Sequence, residues 1–276
     1  MGMNIVSPLR ATLAAAVLVS FVPLHAWQDT PPAPPTLAPM AADADPSFAA
    51  ATIRPSIPGD GRAPIIQIQR RRWIAINRTV MDLITESYSL HPSQVVNGPS
   101  WLGEQYDITA VPDGEGQPRP AQWRSMVRKL LADRFQLSTH SEQRELSVYA
   151  LTAKRVLPLA PGTGDPAGPA NLAMPAQGRF AGRNASMADF ARVLGGVVDR
   201  PVVDRTGISG RYDLNLSWTV DEFQSAKLKG FPVPRAGAEV PGLFTALEEQ
   251  FGLRLETAKV PGDVLVIDHI ERPSEN

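Results

Sequence analysis

The chain has 276 residues, a formal charge of −1 from 27 Lys and Arg against 28 Asp and Glu, and no cysteine. The even charge gives no global attraction to nucleic acid or to an anionic membrane. The missing thiols exclude disulfides, thiolate-bound zinc or iron, and a cysteine-linked lipid anchor.

Residues 1–26 read as a secretory signal. Arg10 precedes an apolar run over 11–22, shorter than the roughly 20 residues of a membrane span, and Ala26 offers a small residue for cleavage before Trp27. Residues 27–47 are rich in proline and alanine and predict an extended tether. The expected location is the periplasm or the cell exterior.

Folded sequence begins near Phe48. Apolar alternation predicts strands over 48–54, 65–69 and 73–77. A helix follows from Thr79, whose hydroxyl and the carboxylate of Asp82 fit a capping pair. A strand over 106–111 and a helix over 123–134 come next. Strands over 135–139 and 146–153 close this first unit, 48–153, with the charged turn Ser141-Glu-Gln-Arg-Glu145 between them. Arg70-Arg-Arg72 reads as a charged strand edge or as a polyanion site.

Proline and glycine mark 154–178 as a linker. The second unit, 179–276, predicts a strand over 179–182, a helix over 186–198 and a short strand at Val202 and Val203. A turn over 204–210 uses Gly207 and Gly210 for positive φ, and a strand over 212–218 follows. A proline-interrupted insert occupies 220–241. A helix over 242–251 ending at Gly252 and strands over 253–257 and 264–270 complete the unit, and 272–276 read as a solvated tail.

The two units share motifs in the same order. Asn77-Arg-Thr79 matches Asn184-Ala-Ser186, Asp82 matches Asp189, Tyr106-Asp-Ile108 matches Tyr212-Asp-Leu214, and the helix-to-strand passage 123–137 matches 243–255. The expected fold is therefore α+β: two similar units from an internal duplication, each a mixed sheet covered by two helices. The sequons at Asn77 and Asn184 fall at helix starts, where capping accounts for them.

Several stretches carry a family likeness: Ile53-Arg-Pro55, Pro99-Ser-Trp-Leu102 with Tyr106-Asp-Ile108, and Leu130-Leu-Ala-Asp-Arg-Phe135 with His140. Pro201-Val-Val-Asp-Arg-Thr-Gly207 with Tyr212-Asp213, and Ile267-Asp-His269 before Pro273-Ser-Glu-Asn276, extend it. Together they resemble the soil-associated family of exported bacterial proteins, a domain of unknown function. Related domains are fused to membrane metallopeptidases of the antibiotic-sensor type, so the resemblance implies extracytoplasmic sensing or interaction. Each unit is also distantly similar to the short N-terminal domains of secretins and TonB-dependent receptors.

Motifs that carry chemistry are missing. There is no His-Glu-x-x-His, phosphate loop or Gly-x-Ser-x-Gly elbow, and His91, His140 and His269 fall on separate predicted elements. No cofactor and no metal are expected. The candidate binding residues are Asp204, Arg205, Tyr212, Asp213 and His269. Asp204 also fits an aspartate that hydrogen-bonds its own turn, and the recurrence of Tyr-Asp in both units favours a structural reason. Two functions follow: a noncatalytic binding or sensing module that takes an envelope protein, peptide or glycan along an exposed strand edge or in the groove between the units, or a hydrolase in which Asp204, Asp213 and His269 converge.

Overall fold

Alternating apolar residues build the first layer of structure. Along one strand Trp73, Ala75 and Asn77 are buried, and along its neighbour Tyr106, Ile108 and Ala110, every second position in each case. The computed structural model describes residues 38–155, 158–234 and 240–273, so the expected signal and the first part of the tether lie outside the described residues.

The first half runs β1 (Phe48–Pro55), β2 (Ile65–Gln69), β3 (Arg72–Thr79), α1 (Val80–Tyr88), β4 (Val95–Val96), β5 (Gln105–Pro112), α2 (Pro120–Phe135) and β6 (Ser138–Ala153). The second runs β7 (Ala160–Pro161), β8 (Asn171–Ala176), β9 (Arg179–Ala185), α3 (Met187–Val197), β10 (Val202–Asp204), β11 (Tyr212–Ser217), α4 (Glu222–Lys227), α5 (Leu243–Phe251) and β12 (Leu253–His269). The protein is thus of mixed α/β content, with three four-stranded sheets among the described residues.

Both outer sheets are antiparallel, not mixed as expected. Their orders are β1-β5-β3-β2 and β7-β11-β9-β8. The mixed sheet is a third one, β10-β6-β12-β4, to which both halves contribute. In it β6 and β12 pair antiparallel from Leu253 opposite Ala153 to His269 opposite Ser138. The short strands cross over: β4 of the first half lies parallel to β12, and β10 of the second lies parallel to β6.

The expected turn at 141–145 is therefore strand. Those residues contain no glycine, proline or asparagine to reverse the chain, and they pair with Pro261, Gly262, Asp263 and their neighbours on β12. Most side chains there are exposed, so charge is tolerated in the middle of a long ribbon. The two strands expected over 253–257 and 264–270 are likewise one continuous β12.

Each half has its own apolar core, and each core borrows from the crossing strands. Leu83, Ile84, Met126, Leu131 and Phe135 of α1 and α2 pack with Ile53 and Ile108, and β12 adds Leu265 and Ile267. Phe190, Leu194, Leu247 and Phe251 of α3 and α5 pack with Phe180 and Leu214, and β6 adds Leu151. Phe135 is fully buried and meets the Tyr106 ring edge-on at 5.6 Å, so Phe135→Ala should cost about 3–5 kcal/mol.

Helix starts follow the capping chemistry. Thr79 Oγ1 accepts from the Asp82 N–H at 3.0 Å while Asp82 Oδ2 accepts from the Thr79 N–H at 3.1 Å, and Ser186 with Asp189 repeats the arrangement. Gly252 ends α5 in the left-handed region, φ 68°.

Three stretches expected to be loose are structured in part. Within 154–178, β7 and β8 form, with Pro175 on the edge strand β8, where its missing N–H breaks no ladder. Within 27–47, Met40 is buried and its N–H donates to the Gln117 carbonyl at 2.8 Å, while Gln122 Nε2 donates to the carbonyls of Ala41 and Ala44. Within 220–241, buried Gln224 accepts from the Trp218 indole at 2.9 Å and anchors α4.

Candidate functional site

An open cleft of about 820 Å³ lies where α1 and the first turn of α2 face α3, β10 and the end of α4. Ile66, Ile68, Trp73 and Trp123 give it an apolar wall. Trp123 is only 6% exposed, and its indole N–H has no hydrogen-bond partner among the described residues. On the other side Gly195 and Gly196 leave the α3 backbone bare, and a Cβ at Gly196 would meet nothing within 4 Å.

Charge gathers in this cleft with a positive excess. Arg78, Arg124, Arg192 and Lys227 line it against Asp82 and Glu86. Arg78 Nη2 donates to Glu86 Oε2 at 3.1 Å, and Arg78 Nε lies 3.8 Å from Asp82 Oδ2. Arg192 Nη2 reaches Asp189 Oδ1 at 3.3 Å. Arg124 is exposed and has no hydrogen-bond or ion-pair partner among the described residues, and it acts on Glu86 through space.

The surroundings shift these groups in ways that follow from a concave site. Glu86 is 51% exposed yet flanked by protein, and that desolvation pushes its carboxyl above the usual glutamate value despite the pull of Arg78. Desolvation also holds Lys227 below the usual lysine value; its Nζ donates to the Val198 carbonyl at 2.6 Å and lies over the Phe223 ring. The imidazole of His91, desolvated and beside Lys227, titrates below the usual histidine value, so it is neutral at pH 7.

The residues expected to form a site lie elsewhere. Asp204 is exposed and accepts from the N–H and hydroxyl of Thr206 at 2.9 and 2.8 Å, closing its own turn. Arg205 is exposed, with its backbone N–H on the Leu151 carbonyl at 2.9 Å. Tyr212 donates its hydroxyl to the Ser209 carbonyl at 2.7 Å. His269 is exposed beside Glu271, 3.0 Å from its carboxylate. Asp204 lies opposite Leu151 of β6 and His269 opposite Ser138 of the same strand, about 40 Å apart along it. None of the five lines the cleft.

Asp213 has a structural task, and Asp107 has the same one. Asp213 Oδ1 accepts from the Asn184 N–H at 2.9 Å, and the Thr163 hydroxyl donates to Oδ2 at 2.7 Å. Asp107 Oδ1 accepts from the Asn77 N–H at 3.0 Å and from the Ser56 hydroxyl at 2.6 Å. Both asparagines are buried and left-handed, φ 51° and 52°, just before a helix cap. The Arg70-Arg71 pair, between two possible readings, is the tight turn joining β2 to β3, with Arg70 at φ 56° and Arg71 donating to the Gly114 carbonyl.

Sequence reasoning names a groove between the units but not its lining, because Arg78, Glu86, Arg124, Arg192 and Lys227 share no spacing or motif. Only the fold brings them together. Among the described residues no cluster of three or more His, Asp or Glu could hold a metal ion, and no helix is long and apolar enough to cross a membrane.

Fold and site define a mixed α/β protein with an open, cation-rich cleft walled by both halves of the chain. The chain belongs to the DUF3738 family, described as a protein of unknown function, whose profile matches residues 81–270. No curated protein and no solved structure matches the chain.

Proposed function

We propose that the protein is an exported, noncatalytic binding or sensing module whose ligand, from an envelope protein, peptide or glycan, sits in the cleft. The observation that carries this reading is the cleft: about 820 Å³, within the range of roughly 300–1,000 Å³ typical of ligand sites, with an apolar wall and a few convergent polar groups. The hydrolase alternative needs Asp204, Asp213 and His269 within hydrogen-bond reach, and the span of β6 between Asp204 and His269 removes its support. Export rests on the Arg10-led apolar run and the small residue at Ala26.

An internal duplication accounts for the cleft lying between two halves. The matching orders of the outer sheets, the repeated Asp–Asn contacts and the repeated capping boxes support it. The crossing strands add a register argument. Val95 and Val202 stand 107 residues apart, as Asn77 and Asn184 do, and each opens the short strand that joins the other half's long strand.

A thermal-shift screen of short peptides, glycans and small organic ions tests the binding reading, with wild type and Gly196→Leu side by side. A ligand that raises the melting temperature of wild type but not of the variant supports the cleft. Equal shifts in both proteins would place the ligand elsewhere.

A further inference from the structure

We infer that the cleft takes an organic anion, a carboxylate or similar oxyanion joined to an apolar body, with the anion beside Arg124 and Arg78 and the body against Ile66, Ile68 and the edges of Trp73 and Trp123. This deepens the binding reading and rests on it. Three independent features converge on such a ligand.

The first is charge. The protein carries −1 overall, whereas four cations and two carboxylates line the cleft, an excess of two positive charges. A low-dielectric concave wall focuses such a field, so an anion is drawn to this place on an otherwise balanced surface. The second is pairing. Arg78, Arg192 and Lys227 already have protein partners, and exposed Arg124 alone among the four has none. A guanidinium with its fork of donors free is suited to a carboxylate.

The third is the wall itself. Trp123 and Trp73 are buried, 6% and 4% exposed, so they back the wall and offer only their edges to a ligand. Ile66 and Ile68 continue the surface as apolar area, with Ile68 45% exposed. An amphipathic anion matches both parts of the site.

Glu86 then acts as the resident competitor. Its carboxylate occupies Arg78 and lies within the field of Arg124, where a ligand anion would sit. The groups facing it are Arg78, Asp82 and Arg124, so removing its charge raises the local positive excess by one.

The test uses two fluorescent probes of similar shape, anilinonaphthalene sulfonate, which is anionic, and phenylnaphthylamine, which is neutral. They are titrated into the folded protein and into Arg124→Ala, Glu86→Gln and Gly196→Leu, each checked for a cooperative melt. Wild type should bind the anionic probe at one site and more tightly than the neutral one, with the gap shrinking at high salt. Arg124→Ala should weaken the anionic probe by roughly two- to fivefold and leave the neutral probe unchanged. Glu86→Gln should tighten the anionic probe by a similar factor and leave the neutral probe unchanged; loosened packing would instead strengthen both probes and broaden the melt. Gly196→Leu should weaken both.

If both charge variants leave the anionic probe unchanged while Gly196→Leu blocks both probes, the anion inference is overturned and the cleft survives as an apolar site. If Gly196→Leu blocks neither, the cleft reading fails with it.

Discussion

The carboxylate of Asp107 holds the backbone N–H of Asn77 at 3.0 Å while Asn77 itself takes a left-handed conformation, φ 51°. This contact sits at an irregularity where the register of β3 on β5 shifts between Ala75 and Arg78, before pairing resumes at Arg78 and Thr79 caps α1. The Asn77 amide completes the corner by donating to Asp60 Oδ1 at 3.1 Å and to the Arg62 carbonyl at 2.8 Å. Asparagine fits because it tolerates positive φ and also carries a donor.

Two replacements separate those contributions. Asn77→Gly keeps the backbone conformation and loses the amide bonds; Asn77→Ala loses the bonds and strains the backbone by a further 1–2 kcal/mol or so. Urea unfolding should rank wild type above Asn77→Gly and both above Asn77→Ala. An alanine variant as stable as the glycine variant would remove the role of the left-handed corner.

Acid should loosen both corners. Burial alone would raise the Asp107 carboxyl, but the Asn77 N–H, the Ser56 hydroxyl and Arg62 outweigh it and hold the group below the usual aspartate value. The Thr163 hydroxyl, the Asn184 N–H and the Thr163 N–H do the same for Asp213. Groups lowered in the folded state contribute stability that is complete above the unfolded value, near pH 4, and is lost as pH falls through the folded values. The urea midpoint should therefore fall below about pH 4, and Asp107→Asn with Asp213→Asn should flatten that fall. An unchanged acid limb in the double variant would contradict the assignment.

Glu86 carries the opposite sign. Desolvation raises its carboxyl, so the folded state is penalised as pH rises through that raised value, and no penalty exists below the usual glutamate range. Glu86→Gln should melt higher than wild type at neutral pH, with the two curves meeting in acid. A variant that melts lower at every pH would mean the Arg78 contact outweighs the desolvation.

The turn after β10 offers a contrast between backbone and side chain. Gly207 has φ 70° and open space around a would-be Cβ, so Gly207→Val should cost about 1–2 kcal/mol or more through backbone strain alone. Asp204→Asn keeps an acceptor for Thr206 and should leave stability and ligand capture nearly unchanged. Loss of capture by a stably folded Asp204→Asn protein would move this exposed turn into the binding site.

For export, N-terminal sequencing of secreted protein should give a start near Trp27. Recovery of protein that retains Met1 from the cytoplasm alone would contradict it.

Local chemistry was legible in the sequence. Thr79 with Asp82, the alternation from Tyr212 to Leu216, and Gly252 all act over a few residues, and each forms the feature its neighbours dictate. The errors lie where the partner is remote. Ser141 to Glu145 looked like a turn because charge was read without its partner strand, which lies more than a hundred residues further on. The sharing of β4 and β10 was hidden for the same reason. A two-residue strand at Val95 carries no mark of which half it will join, and the cleft residues, drawn from β2, β3 and four helices, carry still less.

The crossing of β4 and β10 makes this chain a self-complementing pair of fragments. Cutting the backbone between Arg155 and Pro158 would sever no pairing of the central sheet, since β6 stays on one piece and β12 on the other with sixteen register pairs between them. Each piece would still donate a short strand to its partner and lend that partner's core apolar side chains: Leu265 and Ile267 in one direction, Leu151 in the other. The pairing between the two pieces does not depend on that link, whereas either fragment synthesised alone would present a long unpaired strand edge and an incomplete core. Covalent continuity thus supplies proximity, and the strand exchange supplies cohesion.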